Sequence, residues 1–538
     1  MSRPRVACEV FLGGVRETPV QPRSTATLII VLLALCSSSG RLMFGQVVSR
    51  ENPKKQEHFV GKGNPSDLLV RSYDLGKQFT PEERGMQLLR LINVGGKIHQ
   101  SSAKSWAEEA FRTSGQVSIS LNRLLLQRNV VVALAPYNSK RALQMLREMD
   151  LPVPNKEGVM PEDLRVSAAG PAFRSYWKQV GRPGLPALRA LAIQMGDTGQ
   201  YPFSAMLPII LELSKREPLQ ASSLIAEAQR FYDRGSRSNS ADGDFVAFIE
   251  ALAPDLSHEE LRSLLESAVN KLAEKKKTDG SFHVQVYTNK GSAIFDSKSD
   301  ELLFEILPLI AEIDPQWDKR LRSEDQQLAQ AAGVSGVIQR TEAVSVYGTS
   351  DATVIARLSQ EGMERARLND IAGMAMEHPA QALALASSIS DSGMRSIALS
   401  DVATGYSKED PQMASALLTQ AKQSTLQLTN LSQREAALAA LSRAASATRN
   451  IALFREIFER AFDLGEELFQ EDLDSHPGQT ALSADAYEDL STLVQAGISV
   501  DVEITMARLS ACTDSVLQAY LLIDAAAALA ALPKNQEN

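Results

Sequence analysis

Ser101-Ser102-Ala103-Lys104 puts a hydroxyl and an amine at the S-x-x-K spacing of acylating serine enzymes. Ser120-Leu121-Asn122 fits a loose S-x-N, but it lacks the Asp of S-D-N, and no K-T-G occurs anywhere. In a Ser-rich chain such matches arise by chance, and a helix N-terminus accounts for the first. The six histidines (His58, His99, His258, His283, His378 and His476) are never paired at metal-ligand spacing, and no H-E-x-x-H exists. Asp242-Gly243-Asp244 resembles part of a calcium loop. Setting Gly243 at loop position 6 puts Ser238 at position 1 and Ile249 at position 12, where acidic oxygen donors are required. Asp296, Asp300 and Glu301 form an acidic cluster that reads as a solvated loop, and Lys275-Lys276-Lys277 reads as a solvated helix end. Neither G-x-x-x-x-G-K-[ST] nor G-x-S-x-G is present. The sequence therefore assigns no catalytic, cofactor-binding or metal-ligating residue and implies no cofactor.

The elements that would have to position any chemistry are helical. Hydrophobic residues make up 44% and charged residues 22%, a globular composition, while aromatics at 6% leave mainly Ala, Leu, Ile and Val to build a core. The net charge of −9 and the lack of a basic stripe argue against a nucleic-acid partner.

Thr27–Leu35 reads TLIIVLLAL, with Arg23 before it and CSSSG after it. This is the charged, apolar and small-residue order of a secretory signal, and the apolar run is short for a bilayer span. Ser38-Ser39-Gly40 fits the small-x-small cleavage rule better than a cut at Gly45, since Met43 is bulky at −3. The long leader contains Glu9 and Glu17, which suggests a start further along, at Val20 if its codon can initiate. Leu33-Ala34-Leu35-Cys36 hints at a lipid-anchor box, but Leu35 is large where a small residue is needed, so ordinary cleavage is the better reading. Losing residues 1–40 removes four Arg and two Glu, which makes the chain more acidic. It also removes Cys8 and Cys36, so Cys512 remains without a disulfide partner.

Residues 1–40 thus read as a signal peptide with a long leader. Residues 41–75, broken by Pro53, Gly61, Gly63 and Pro65, read as a flexible tether. Residues 76–330 read as an N-terminal helical domain. Thr80-Pro81-Glu82-Glu83 is a capping box opening a helix that Gly95-Gly96 is expected to stop, and Ser257-His258-Glu259-Glu260 is a second box. KSWAEEAFR, LNRLLLQRNVVVALA and KRALQMLREM supply further helices, and RGSRSNSADGD at 234–244 reads as an exposed loop. Residues 283–297 alternate Val284 and Val286 with Gln285, turn at Asn289-Lys290-Gly291 and resume at Ala293-Ile294-Phe295, a β-hairpin inserted between helices. Residues 331–350 lack helical period and read as a linker to a C-terminal repeat domain, 351–533.

That last region repeats itself. DSGMRSIALSDVA at 391–403 returns as DSVLQAYLLIDAA at 514–526, and Ala356-Arg357-Leu358-Ser359 returns as Ala507-Arg508-Leu509-Ser510. Pro379 and Pro411, both at helix starts, lie 32 apart, while Ile371-Ala372 and Val402-Ala403 lie 31 apart. A period in the low thirties is one helix hairpin per repeat. Ala382, Leu385, Ala386 and Ile389 form one apolar face, Asp391 suits the cap of the next helix, and Met394, Ala398, Val402 and Tyr406 form the facing stripe. Cys512 falls where Ile389 stands and reads as a small buried hydrophobe. The pattern P-x-x-A…D-x-x-x-R/Q…L-x-D-x-A over about 350–530 resembles the α-solenoid group that includes tetratricopeptide and HEAT repeats. The tetratricopeptide signature W-x2-L-G-x2-Y is absent and the period is shorter than its 34, so no contact residue carries over.

The expected fold class is thus all-α, an α-solenoid of antiparallel helix hairpins in two helical segments with one small β-hairpin insert near 283–297. An open solenoid and a closed toroid stay equally compatible with the pattern. The resemblance implies a protein-binding surface, here for another envelope or secreted protein in the periplasm or outside the cell. The alternative is a carbohydrate-binding or carbohydrate-cleaving α/α protein, whose rings would be Trp106, Tyr176, Trp177 and Tyr201 converging on one groove. The export reading predicts that the mature chain begins at Arg41. Mass spectrometry of its N-terminal peptide checks this, and an acylated Cys36 would contradict it.

Overall fold

The computed structural model describes residues 64–98, 100–152, 163–235, 241–276, 284–288, 290–334, 338–343, 367–475 and 480–532. The signal segment 1–40, residues 41–63 and the first copy of the Ala-Arg-Leu-Ser tetrapeptide lie outside the described residues. The chain is an all-α solenoid of helix hairpins with a small β insert. It divides into two compact units: among the described residues, 64–126 join 367–532 in the first and 127–343 form the second. The helices before residue 127 therefore group with the C-terminal repeats rather than with the segment 127–330 that follows them.

In the first unit, four hairpins follow one another: Pro379–Ser387 with Ser392–Tyr406, Pro411–Leu426 with Leu431–Ala447, Ile451–Ser475 with Asp485–Val500, and Val502–Ala511 with Ser515–Ala531. The second helices pack on each other in succession. Each first helix from the second hairpin onward also lies against the second helix of the hairpin before it. The helix Pro65–Leu75 then packs on Ser515–Ala531, and Pro81–Ile98 also packs on Ser515–Ala531. The N-terminal hairpin thus takes the fifth position of the C-terminal array.

The sequence shows why it fits. Asn64-Pro65, His378-Pro379 and Asp410-Pro411 each set a proline at the first helical position, where its missing N–H costs nothing. Three residues on, Leu68, Ala382 and Ala414 are all buried. The expected tether over 41–75 accordingly gives way to a helix from Pro65, because Leu68 and Leu69 bury against the last repeat. Second helices carry small residues on several sides, as at Ala437, Ala439, Ala440, Ala444 and Ala445, so neighbours approach closely. At Gly405 a Cβ would lie 2.0 Å from the Ala375 backbone oxygen, which leaves room for glycine alone. In the first hairpin Ala382, Ala386 and Ile389 are buried as expected, but Leu385 is exposed because it faces away from Ser392–Tyr406. Gly95-Gly96 does not stop its helix, which runs to Ile98. The Trp106 ring rests on Gly95, where a Cβ would come within 2.2 Å of Cζ3, so the glycine is there to admit the ring.

The second unit repeats the scheme. Its second helices Leu164–Val180, Phe203–Ser214, Ala241–Leu252 and Lys298–Ile313 pack in succession. The helices Pro218–Arg234 and His258–Lys276 touch each other. Phe203, Tyr232, Phe245 and Phe248 interlock at the centre, with Tyr232 stacked on Phe245 at 3.8 Å. Residues 241–244, expected in a loop, form the first turn of a helix.

The β-hairpin is present as β1 (Val284–Thr288) and β2 (Gly291–Phe295). It gains a third strand, β3 (Ile338–Ala343), antiparallel to β1, so the expected linker 331–350 contains a strand and a short 3-10 turn at Ala331–Val334. Val284, Val286 and Phe295 are buried, and Phe295 lies 5.1 Å from Phe304 of the following helix.

Two equivalent ion pairs differ in depth. Asp401, largely buried, meets Arg443 of the next second helix, whose side chain lies half in solvent, whereas Asp524, buried, meets the less exposed Arg90 of the docked N-terminal hairpin. Arg90→Ala leaves Asp524 without its cation and is expected to cost about 3 kcal/mol. Arg443→Ala should cost less, because its guanidinium lies half in solvent. Urea unfolding of both variants checks the difference; equal losses would mean that the N-terminal hairpin is not held as described.

Candidate functional site

The side chains that combine in space do so at the joints between hairpins. The D-x-x-x-R/Q signature is one such joint. Asp391, Asn430 and Asp514 cap their second helices through Oδ1, accepting from Met394 N (2.8 Å), Gln433 N (3.0 Å) and Leu517 N (2.8 Å). The residue four positions on turns back to the preceding connection. Arg395 Nη1 donates to Ile389 O (3.4 Å), Arg434 Nε to Leu428 O (2.9 Å) and Gln518 Nε2 to Leu509 O (2.7 Å). Each motif thus satisfies a helix N-terminus and a carbonyl of the preceding connection or, at Leu509, of the last turn of the preceding helix. Ile389, Leu428 and Cys512, two residues before each cap, are buried plugs. Burial pushes the Cys512 thiol up, with the Glu466 carboxylate adding to the effect, so it stays a neutral thiol.

A further polar cluster lies where the helices Pro65–Leu75 and Pro81–Ile98 meet the last repeat of the first unit. Tyr487 Oη donates to Asp524 Oδ2 (2.7 Å), Arg90 pairs with Oδ1, and the Arg90 guanidinium stands 5.3 Å from the Tyr487 ring centre. Tyr520 Oη donates to Glu83 Oε2 (3.0 Å), and Ser72 Oγ to Ala519 O (2.8 Å). Arg84 reaches Glu109, Gln87 Oε1 and Tyr73 O. Burial raises both phenols, Tyr487 further through the Asp524 charge and Tyr520 through Glu83. Neither tyrosine can act as a base near neutral pH, and apart from the buried Arg90 Nε, which has no hydrogen-bond partner, these polar atoms pair with one another within the joint. The cluster is a clasp.

The residues singled out from sequence are dispersed. Ser101 and Lys104 lie in the helix Gln100–Ser114 with Lys104 exposed, and Ser120 begins the helix Ser120–Leu134. His258 and His378 stand at helix starts as expected. His58, His99, His283 and His476 lie outside the described residues. Asp300 and Glu301 do not form a solvated loop. Ser297 caps their helix and both are buried in its first turn. Lys275 and Lys276 are likewise not a free helix end: Lys275 pairs with Asp242, which also accepts from Tyr232 Oη at 3.0 Å, and Lys276 pairs with Asp300 (2.7 Å) and Asp325. The acidic cluster and the lysines, read separately in the sequence, are partners. The Asp-Gly-Asp turn and the lysines carried that signal, as opposite charges at two helix ends. Among the described residues, no group of three or more His, Cys, Asp or Glu could hold a metal ion.

The four rings of the glycan alternative do not share one groove. Trp106 belongs to the first unit and is buried between helices, 6.3 Å from Tyr73. Tyr201 is buried in the second unit, stacked on Phe231 at 5.1 Å. Tyr176 packs on Gly184, and Trp177 Nε1 donates to Glu212 Oε2 at 2.6 Å. Among the described residues no helix is long and apolar enough to cross a membrane.

No family model matches the chain, and no curated protein matches it. Among solved structures it is similar to a circular tandem repeat protein with novel repeat topology and enhanced subunit contact surfaces. The identity is 14%, the alignment covers 86% of this chain and 98% of that one, and the TM-score is 0.19.

Asn430→Ala is expected to lose about 1 kcal/mol of stability. Asp391→Ala and Asp514→Ala should lose more, because their Oδ2 atoms also accept from Gln433 Nε2 (3.3 Å) and Gln470 Nε2 (3.0 Å), and the loss should be largest at Asp514, which is buried. Thermal unfolding of the three variants gives the order; an equal loss at all three would reduce the motif to local capping.

Proposed function

We propose that this chain is an exported, non-enzymatic helical-repeat scaffold that binds another envelope or secreted protein through side chains contributed by successive hairpins. One observation carries the reading: the polar side chains that the fold brings together are consumed by caps and joints, as at Asp391, Asp524 and Asp242. A chain that spends its charges on holding hairpins in register makes a rigid surface rather than a reaction centre. Export rests on the Thr27–Leu35 apolar run and the Ser38-Ser39-Gly40 cleavage pattern. The partner's class follows from the compartment.

The test is crosslink capture. Residues 41–538, tagged and exported in the native cell, are crosslinked, and the captured proteins are read by mass spectrometry. One protein enriched over a variant with scrambled surface residues is the expected result. A blank across growth conditions would overturn stable protein binding and turn attention to glycan binding and cleavage assays, beginning with the half-buried Trp177–Glu212 pair.

A further inference from the structure

The sheet of the second unit has β1 in the middle, so it ends in two edges, β2 and β3. An edge strand carries backbone N–H and C=O groups that a further strand can join, and monomeric proteins blunt such edges with charges, proline or a bulge. β3 is blunted in this way. It carries Arg340 and Glu342, and its register with β1 slips between Tyr287 and Thr288. β2 reads Gly291-Ser292-Ala293-Ile294-Phe295, with neither charge nor proline, and pairs with β1 without a slip. Among the described residues no strand lies beyond it. The strand is seated from beneath. Phe295 is buried 5.1 Å from Phe304, and Gly291 rests on Val334, where a Cβ would come within 2.8 Å of Cγ1. Its other face is open: Ser292 is exposed, and Ile294 is 54% exposed.

We propose that β2 pairs with β2 of a second copy of this chain, antiparallel about Ala293, so that two three-stranded sheets become one of six. The charges flanking the strand select this occupant. Lys290 and Asp296 are both exposed, and they stand three residues to either side of Ala293. Side chains alternate between faces along a strand, so both share the open face with Ser292 and Ile294. A two-fold axis at Ala293 sets Lys290 of each copy opposite Asp296 of the other, and Ser292 opposite Ile294. An axis moved one residue either way loses the match of opposite charges. Asp296 also takes the Gln327 amide, which steadies its carboxylate at the end of the strand.

The same register deals with the apolar surface. The two Ile294 side chains become diagonal neighbours across the axis and cover one another, while Ala293 meets its own copy on the inner face, where a small side chain lets the strands approach. The contact is isologous, so it closes at two copies and uses up both β2 edges. Two five-residue edges bury less than the ~1,200 Å² of a standard interface, so the dimer fills with concentration rather than persisting on dilution. This inference does not depend on which partner the scaffold binds.

Sedimentation velocity of the full chain over a concentration series tests it. The parent should pass from monomer to dimer as concentration rises. Ile294→Lys brings like charges together across the axis and should abolish the dimer. Lys290→Asp and Asp296→Lys should each raise the dimer dissociation constant about tenfold, because the axis counts every lost pair twice. Mixed in equal amounts, these two variants oppose unlike charges again, and the mixture should regain the parent's constant. Circular dichroism and the thermal midpoint, unchanged at these exposed positions, separate a lost contact from a lost fold. A parent that stays monomeric throughout would leave the edge to a strand of another protein and overturn the proposal. An Ile294→Lys variant that dimerises like the parent, or a mixture no tighter than its components, would overturn it equally.

Discussion

A helix that is apolar on nearly every side can exist in water only between neighbours, and this constraint organises the whole chain. Ser515–Ala531 is the clearest case: every residue from Leu517 to Ala526 is buried, including Gln518 and Asp524. Such a helix has no solvent face to offer over that length, so it needs a helix on each flank. Asp485–Val500 and Val502–Ala511 supply neighbours from the preceding repeat and its own hairpin. The others come from far earlier in the sequence, as Pro65–Leu75 and Pro81–Ile98. Close approach depends on alanine and glycine, and the polar groups carried inside must find partners within the stack.

The same requirement explains where the charges go. An Asp in L-x-D-x-A meets an Arg on the next second helix at two places in the first unit. Asp401 is largely buried, but its partner Arg443 lies half in solvent, which screens the pair. Asp524 with Arg90 sits inside, where each group depends on the other and on Tyr487. One sequence motif thus does two energetic jobs, decided by how much stack lies beyond it. In the second unit the ends of three helices are tied in a comparable way, with Lys275 and Lys276 running into the first turns of the second helices before and after them, at Asp242 and Asp300. Carboxylates at helix N-termini also complement the helix dipole, so the lysines and the amide groups act on them together.

Period, hairpin length and capping were legible from the residues because they are local. Pro379 and Pro411 announce helix starts, Asp391 announces a cap, and the Val284–Val286 alternation announces a strand. What escaped depends on partners distant in sequence. Asn64-Pro65 has the same start signal as Asp410-Pro411, but its polar surroundings concealed that Leu68 would bury against a helix 450 residues away. Gly95-Gly96 looked like a stop because the Trp106 ring that needs the space is on another helix. Asp300 and Glu301 looked solvated because their lysine partners Lys276 and Lys298 were read apart from them. Strand β3 was hidden for a similar reason, since its pairing partner β1 lies some 50 residues earlier.

In a stack where each hairpin touches only its neighbours, departures from the repeat are tolerated wherever they bring their own packing. Ile451–Ser475 runs to 25 residues, longer than any other helix of its unit, yet Phe454, Phe458, Phe462 and Phe469 keep one face buried along most of its length. The three-stranded sheet interrupts a hairpin between His258–Lys276 and Lys298–Ile313, yet Phe295 stacks against Phe304 of the helix that follows. Both features use aromatic residues to fill an irregular gap by bulk. Aromatic residues also fill regular joints, as where Phe203, Tyr232, Phe245 and Phe248 interlock in the second unit. The regular part specifies only that hairpins stack, and whatever distinguishes this chain from another of the same plan must be written in those exceptions and in the exposed side chains between joints.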